Sequence, residues 1–189
     1  MKTRLLLCAL PMVLGISSLT LAGDIDLGSP TSRTPYDGYF GPVWAVFRQL
    51  NGPQPDMDTV EKLTRQSNGF RYSYNKEQPY IPQTPEQTEA SHSGDCKAKS
   101  LWLAAKMDTS SIRFVVGKAR LSSSMSHAWL FWKGPQGWMV LDPTNSGRPI
   151  DPERLSSSQL VPTYSYSPGG KYAHSVAAAG KGAKYGDHM

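Results

Sequence analysis

Three side chains carry the chemistry that this sequence offers: Cys96, His127 and Asp142, in that order and separated by 31 and 15 residues. A cysteine thiolate is a strong nucleophile, and an imidazole exchanges protons near neutral pH. A carboxylate holds the imidazole in one tautomer and supports its charged form. Together they make the arrangement for covalent acyl transfer through a thioester.

Cys96 is singled out by what precedes it. Lys2 and Arg4 open the chain, residues 5–16 are mostly apolar, and Leu19-Thr20-Leu21-Ala22 ends on a small residue. This is the three-part pattern of a secretory signal peptide, with cleavage after Ala22. Pro11 and Gly15 interrupt the apolar run, which falls short of the ~20 residues needed to span a bilayer. Cleavage removes Lys2, Arg4 and Cys8, so the net charge of +5 drops by two and Cys96 becomes the sole cysteine. A lone thiol in an oxidising compartment has no intrachain partner and is expected to do chemistry or to pair with another chain. The expected location is periplasmic or secreted.

The elements around these residues can be read from pattern. Pro42 opens a helix with Val43, Val46, Phe47 and Leu50 on one face, stopped by Asn51-Gly52-Pro53. A second helix is expected from Asp58 to about Ser67, with Asp58 and Glu61 resembling a capping box. Phe70, Tyr72 and Tyr74 alternate, as in a short extended segment. Residues 75–95 carry Pro79, Pro82 and Pro85 without periodicity and read as a long functional loop. A third helix begins at Cys96, with Ala98, Leu101, Trp102 and Ala105 forming its apolar face. A thiolate in the first turn is favoured by the helix dipole, and the backbone N–H groups there offer part of an oxyanion hole.

Strands follow at 112–116, 127–132 and 137–142, the last two joined by Lys133-Gly134-Pro135-Gln136. If Trp132 pairs with Gly137, His127 falls directly opposite Asp142 on one face of the hairpin. The order of elements is an α+β layout. Its 189 residues make about one domain and leave no room for a two-domain cofactor enzyme. From Ser165 the chain turns Ser/Gly/Ala/Lys-rich, and 165–189 is expected to be a flexible basic tail, dispensable for chemistry. Its surplus of Lys171, Lys181 and Lys184 over Asp187 favours weak contact with an anionic envelope polymer. His174 and His188 are expected to be solvated there. His92 and Cys96 lack a third ligand for a metal, so neither a metal nor a cofactor is expected.

Ser93-Gly94-Asp95-Cys96-Lys97-Ala98-Lys99-Ser100 resembles the nucleophile motif of the transglutaminase-like superfamily. His127-Ala128-Trp129 and the stretch from Gly137 to Thr144 resemble its histidine and aspartate strands, and Thr84-Pro85-Glu86 is similar to the stretch ahead of the cysteine in its bacterial cysteine proteinases. The resemblance spans about Asp58 to Thr144. It implies a papain-like α+β fold, with the nucleophile helix packed on an antiparallel sheet, and the roles of nucleophile, base and orienting group for Cys96, His127 and Asp142. Some bacterial members carry acidic residues directly after the cysteine and use calcium. Lys97 and Ala98 stand there instead, which argues against a calcium site.

The expected organisation is a signal peptide at 1–22, a linker at 23–35, a catalytic domain at 36–164 and the tail. The expected activity is that of an exported cysteine peptidase acting on protein or peptide amides, as a monomer without nucleic acid and without a membrane span. Acyl transfer to an amine, or a non-catalytic binding domain of the same fold, are the alternatives. Gln78, Gln83 and Gln87 are the candidates for a side-chain oxyanion donor, with nothing in the sequence to choose among them.

Overall fold

A computed structural model describes residues 25–76 and 80–178 of the chain. In chain order the elements are β1 (Ser29–Thr31), α1 (Gly41–Phe47), α2 (Met57–Gly69), β2 (Arg71–Tyr72), α3 (Pro85–Ser91), β3 (Ser93–Gly94), α4 (Cys96–Met107), β4 (Ile112–Arg120), β5 (His127–Gly134), β6 (Gly137–Leu141), β7 (Gln159–Ser167) and β8 (Gly170–Ala173). Six strands form one antiparallel sheet in the order β1-β8-β7-β4-β5-β6, and β2 pairs in parallel with β3. The architecture is the α+β layout expected.

Strand β5 is buried on both sides, because helices cover one face of the sheet and irregular chain covers the other. Ala128, Leu130 and Trp132 join Leu101, Trp102, Phe47 and Val60 in the larger core. Trp129 and Phe131, on the alternate positions, join Val115 and Val140 in a second core closed by Ile25, Leu27, Ile150 and Leu155. The period-2 alternation of a strand thus serves two cores at once. Gly117 on β4 pairs with His127, beside a bulge in the β4–β7 ladder. A Cβ at Gly117 would meet the carbonyl oxygen of Val161 at 2.1 Å, so glycine is what lets β7 approach there.

Several sequence expectations are corrected. The stretch 75–95 is not all loop. It contains α3, capped by a full box in which Thr84 accepts from Gln87 N and Gln87 from Thr84 N, with Pro85 in the first turn. Helix α2 is capped by Asp56, whose side chain accepts from Thr59 N, in place of Asp58. The β5–β6 turn is two residues long, with Gly134 paired to Gly137, so the register is offset by two from the one expected.

The segment 23–35 is not merely a linker. Ser29–Thr31 pairs with β8, and Ile25 and Leu27 pack on the second core. The flexible tail expected from Ser165 is instead sheet as far as Ala173. Ser165 pairs with Val115 and Tyr172, Tyr166 is buried in the larger core, and His174 is fully buried. Backbone pairing beside the central strand and the burial of Tyr166 supply what the composition does not. Lys171 of that supposed tail pairs with Asp37 at 2.8 Å. The signal peptide at 1–22, Gln78, and residues 179–189 with Lys181, Lys184 and His188 lie outside the described residues. Among the described residues no helix is long and apolar enough to cross a membrane.

Candidate active site

Asp95 decides how α4 begins. Its extended backbone makes it the N-cap, and its Oδ1 accepts from Lys97 N and Ala98 N, both at 2.9 Å. Such a cap stabilises a helix by about 0.5–2 kcal/mol. Here it also fixes Cys96 as the first helical residue, in the positive end of the dipole. Gly94 lets the preceding strand run against that first turn, because a Cβ there would sit 2.8 Å from Ala98 Cβ.

The structure brings Cys96, His127 and Asp142 together. All three are buried, at 3%, 8% and 1% exposure. His127 Nε2 lies 2.9 Å from Asp142 Oδ2, and the ring stands close enough to Cys96 to act on the thiol. The offset of two in the hairpin register does not separate the pair. A shift of two residues keeps every side chain on its face, and His127 reaches Asp142 diagonally from the end of β5. Asp142 lies one residue past β6 and opens a turn. Its Oδ1 accepts from Thr144 N at 3.1 Å and from Asn145 N at 3.3 Å.

Asn145 is the partner that sequence reasoning missed. Its Nδ2 donates to Asp142 Oδ2 at 2.8 Å and sits 3.2 Å from His127 Nε2, closing over the histidine–aspartate contact. Asn68 at the end of α2 was missed as well. Its Nδ2 donates to the carbonyl oxygens of Pro143 and Thr144, and Lys99 Nζ donates to the carbonyls of Asn68 and Phe70. Helix α2 therefore ties α4 to the loop that carries Asp142. No local pattern marks Asn68, since its partners lie 75 residues away.

Burial alone would raise the Cys96 thiol. The Lys97 ammonium and the neighbouring His127 outweigh it and hold the thiol below its ordinary range. Burial likewise opposes charge on His127, but its hydrogen bond to Asp142 and the neighbouring Cys96 raise the imidazole well above its usual value. Burial would raise Asp142, yet His127, Asn145 and Thr144 N keep it below the usual carboxylate range. All three shifts run in the direction that favours the charged form of each group. Tyr72, about half exposed, stands beside the site. Burial, and then the negative charges of Cys96 and Asp95, push its phenol up to about 12.

The oxyanion candidates now separate. Gln87 is committed to the α3 cap, whereas Gln83 reaches Gly94, its Oε1 lying 3.2 Å from where a Cβ would stand. Lys97 N and Ala98 N are already taken by Asp95, which leaves the N–H of Cys96 itself as the first-turn backbone donor. A groove of about 580 Å³, lined by Ser73, Tyr74, Asn75, Ile81, Gln83 and Gln87 among others, adjoins the site through Gln83.

No protein-family model matches the chain, and no curated protein sequence matches it at a significant level. Its fold has counterparts among solved structures. LapG from Legionella pneumophila, treated with EGTA, matches with a TM-score of 0.54 at 17% identity, over 72% of this chain and 76% of that one. A second LapG structure gives 0.53 at 18% identity, over 74% and 81% of the two chains. The calcium-bound form gives 0.51 at 16% identity, over 75% and 81%. At these identities the likeness is one of fold, and the chain shares the α+β fold of LapG.

Proposed function

We propose that the protein is an exported cysteine peptidase that cleaves amide bonds in a protein or peptide substrate through a Cys96 thioester. The observation that carries this reading is the 2.9 Å contact of His127 with Asp142, set beside Cys96 at the first turn of α4. The Cys96 thiolate attacks the scissile carbonyl carbon, and the carbonyl oxygen takes the negative charge. Collapse of that intermediate breaks the C–N bond, and the His127 imidazolium gives its proton to the leaving amine. Water then attacks the thioester carbonyl while neutral His127 takes its proton. The acid leaves, and the thiolate–imidazolium pair is restored. Asp142 keeps the ring oriented and supports its charge throughout.

The Cys96 N–H and the Gln83 side chain are the groups assigned to the oxyanion. The groove from Ser73 to Gln87 receives the substrate chain on the side of Tyr72. The signal-like leader supports export to the periplasm or beyond. Mass spectrometry of the purified protein after mixing with a peptide amide tests the core of this reading. An acyl adduct on Cys96, absent from His127→Ala, is expected. Turnover that survives Cys96→Ala would sink it.

A further inference from the structure

Lys97 directly follows the nucleophile and is only 4% exposed. A buried ammonium stays charged only where the protein supplies compensating partners, because leaving water is costly. Lys97 has such partners. Its Nζ lies 3.6 Å from Asp95 Oδ2, 4.5 Å over the centroid of the Tyr80 ring and 4.0 Å from Cys96 Sγ. Tyr80 donates its hydroxyl to the same Asp95 Oδ2 at 2.6 Å. A carboxylate, an aromatic face and a sulfur thus converge on one ammonium.

We propose that Lys97 is the resident cation of this site, holding Asp95 and Tyr80 in place and stabilising the Cys96 thiolate, so that the site works without a divalent cation. The inference rests on Cys96 being the nucleophile. Lys97 is a positioning residue in this account, since it acts on the thiolate and on the helix cap.

One of the LapG structures of the same fold is calcium-bound. The residues here do not fit that ion. Calcium takes about 6–8 oxygen ligands at roughly 2.3–2.6 Å. Both Asp95 oxygens are engaged, Oδ1 by two backbone N–H groups and Oδ2 by Tyr80 and Lys97. No group of three or more His, Cys, Asp or Glu suited to a metal occurs among the described residues. Two buried ammonium groups, Lys97 and Lys99, would repel a divalent cation at this point. Among the described residues the charged and titratable groups around Cys96 are Asp95, Lys97 and Lys99 on α4 and its cap, His127 and Asp142 from the sheet region, Tyr72 from β2, and Tyr80 against Asp95 and Lys97. Lys99 is committed to the carbonyls of Asn68 and Phe70, which leaves Lys97 as the ammonium in contact with the sulfur.

The test is the pH dependence of Cys96 alkylation by iodoacetamide in the full chain, wild type against Lys97→Met, with near-UV circular dichroism to establish the fold. The wild-type rate is expected to titrate below the ordinary thiol range of about pH 8.5. Lys97→Met is expected to move that midpoint up by a unit or more, slowing alkylation at pH 6 by about tenfold or more. If Lys97→Met does not fold, Lys97→Gln, which keeps a donor for Asp95, is read in the same way. Wild-type turnover of a peptide amide is expected to be the same in EGTA as in added calcium. A folded Lys97 variant with the wild-type midpoint would overturn the proposal, as would turnover lost in EGTA and restored by calcium. A wild-type thiol that titrates as an ordinary one is a different result, because it removes the nucleophile reading itself.

Discussion

At the scale of single residues the site is a set of charges that sustain one another. In the proposed ion pair the Cys96 thiolate draws on Lys97 and the His127 imidazolium, the imidazolium on Asp142, and Asp142 on Asn145 and two backbone N–H groups. Groups that act as a unit fail together, so their losses are not additive. His127→Ala is expected to lower kcat by about 10³-fold or more, and His127→Ala/Asp142→Asn by little beyond that. Independent multiplication of the two effects in steady-state assays would contradict the coupling. The pH profile follows from the same shifts. With the thiol lowered and the imidazole raised, kcat/KM should hold level across neutral pH. It should fall in acid as the thiolate takes a proton and in alkali as the imidazolium loses one. A profile centred on an ordinary thiol titration would exclude the ion pair. Gln83→Ala is expected to cost about 10²-fold in kcat with little change in KM, the signature of a donor that acts only on the developing oxyanion. A change in KM alone would assign Gln83 to substrate binding.

At the scale of elements, the start of α4 has the tightest tolerances. Gly94→Ala forces a methyl to within 2.8 Å of Ala98 Cβ and 3.2 Å of the Gln83 amide. Overpacking of this kind costs about 1–3 kcal/mol, or a melting point lower by roughly 2–10 °C for a chain of this size. Activity should fall further than stability does, because the shift displaces Cys96 and Gln83 together. Unchanged kinetics in Gly94→Ala would show that the first turn gives way freely. These elements differ in how openly the sequence displays them. Cys96 at the start of a helix was legible, since Asp95 is a strong cap and an apolar face follows it. The pairing of His127 with Asp142 was legible for an imperfect reason. The true hairpin turns at Pro135-Gln136, two residues tighter than a four-residue turn, and only the even offset kept the side chains on matching faces. Helix α3 was missed although Thr84-Pro85-Glu86-Gln87 is a complete start signal. The proline spacing of the stretch before it obscured that local rule.

For the whole molecule, the decisive element is the one its composition hides. Strand β7 lies between β4 and β8 in the sheet, and its alternation of Tyr164 and Tyr166 with Ser165 is a strand pattern followed by the turn residues Pro168-Gly169-Gly170. A chain ending at Tyr164 would lose Tyr166 from the core and unpair β1. It is expected to give no cooperative melting transition, whereas an active, folded truncation would restore the view of a dispensable tail. The same region joins the two ends of the described chain through His174. Its Nε2 lies 2.9 Å from Ser165 Oγ, its Nδ1 lies 3.4 Å from Asp26 Oδ1, and Asp26 Oδ2 accepts from Ser175 N. Burial holds this imidazole below its ordinary range, against the pull of the Asp26 carboxylate and with the help of Arg113. A histidine lowered in the folded state takes up a proton more readily when the chain unfolds. Its contribution to stability is therefore complete above the unfolded value of about 6.5 and is lost as the pH falls below it. The Cys96–His127 pair adds a loss in the same direction, because the folded thiolate resists a proton that the unfolded thiol holds. The effect of His174 is read as a difference between two curves. Urea unfolding of wild type should lose stability from pH 7 to 5 with a slope steeper than that of His174→Asn by up to ~1.4 kcal/mol per pH unit, the value of one proton. His174→Asn will be less stable at every pH, since it leaves part of a buried site unfilled, but only its slope bears on the linkage. Parallel curves would mean that His174 takes up its proton alike in the folded and unfolded chain, and a shallower wild-type slope that Asp26 holds it protonated in the folded one.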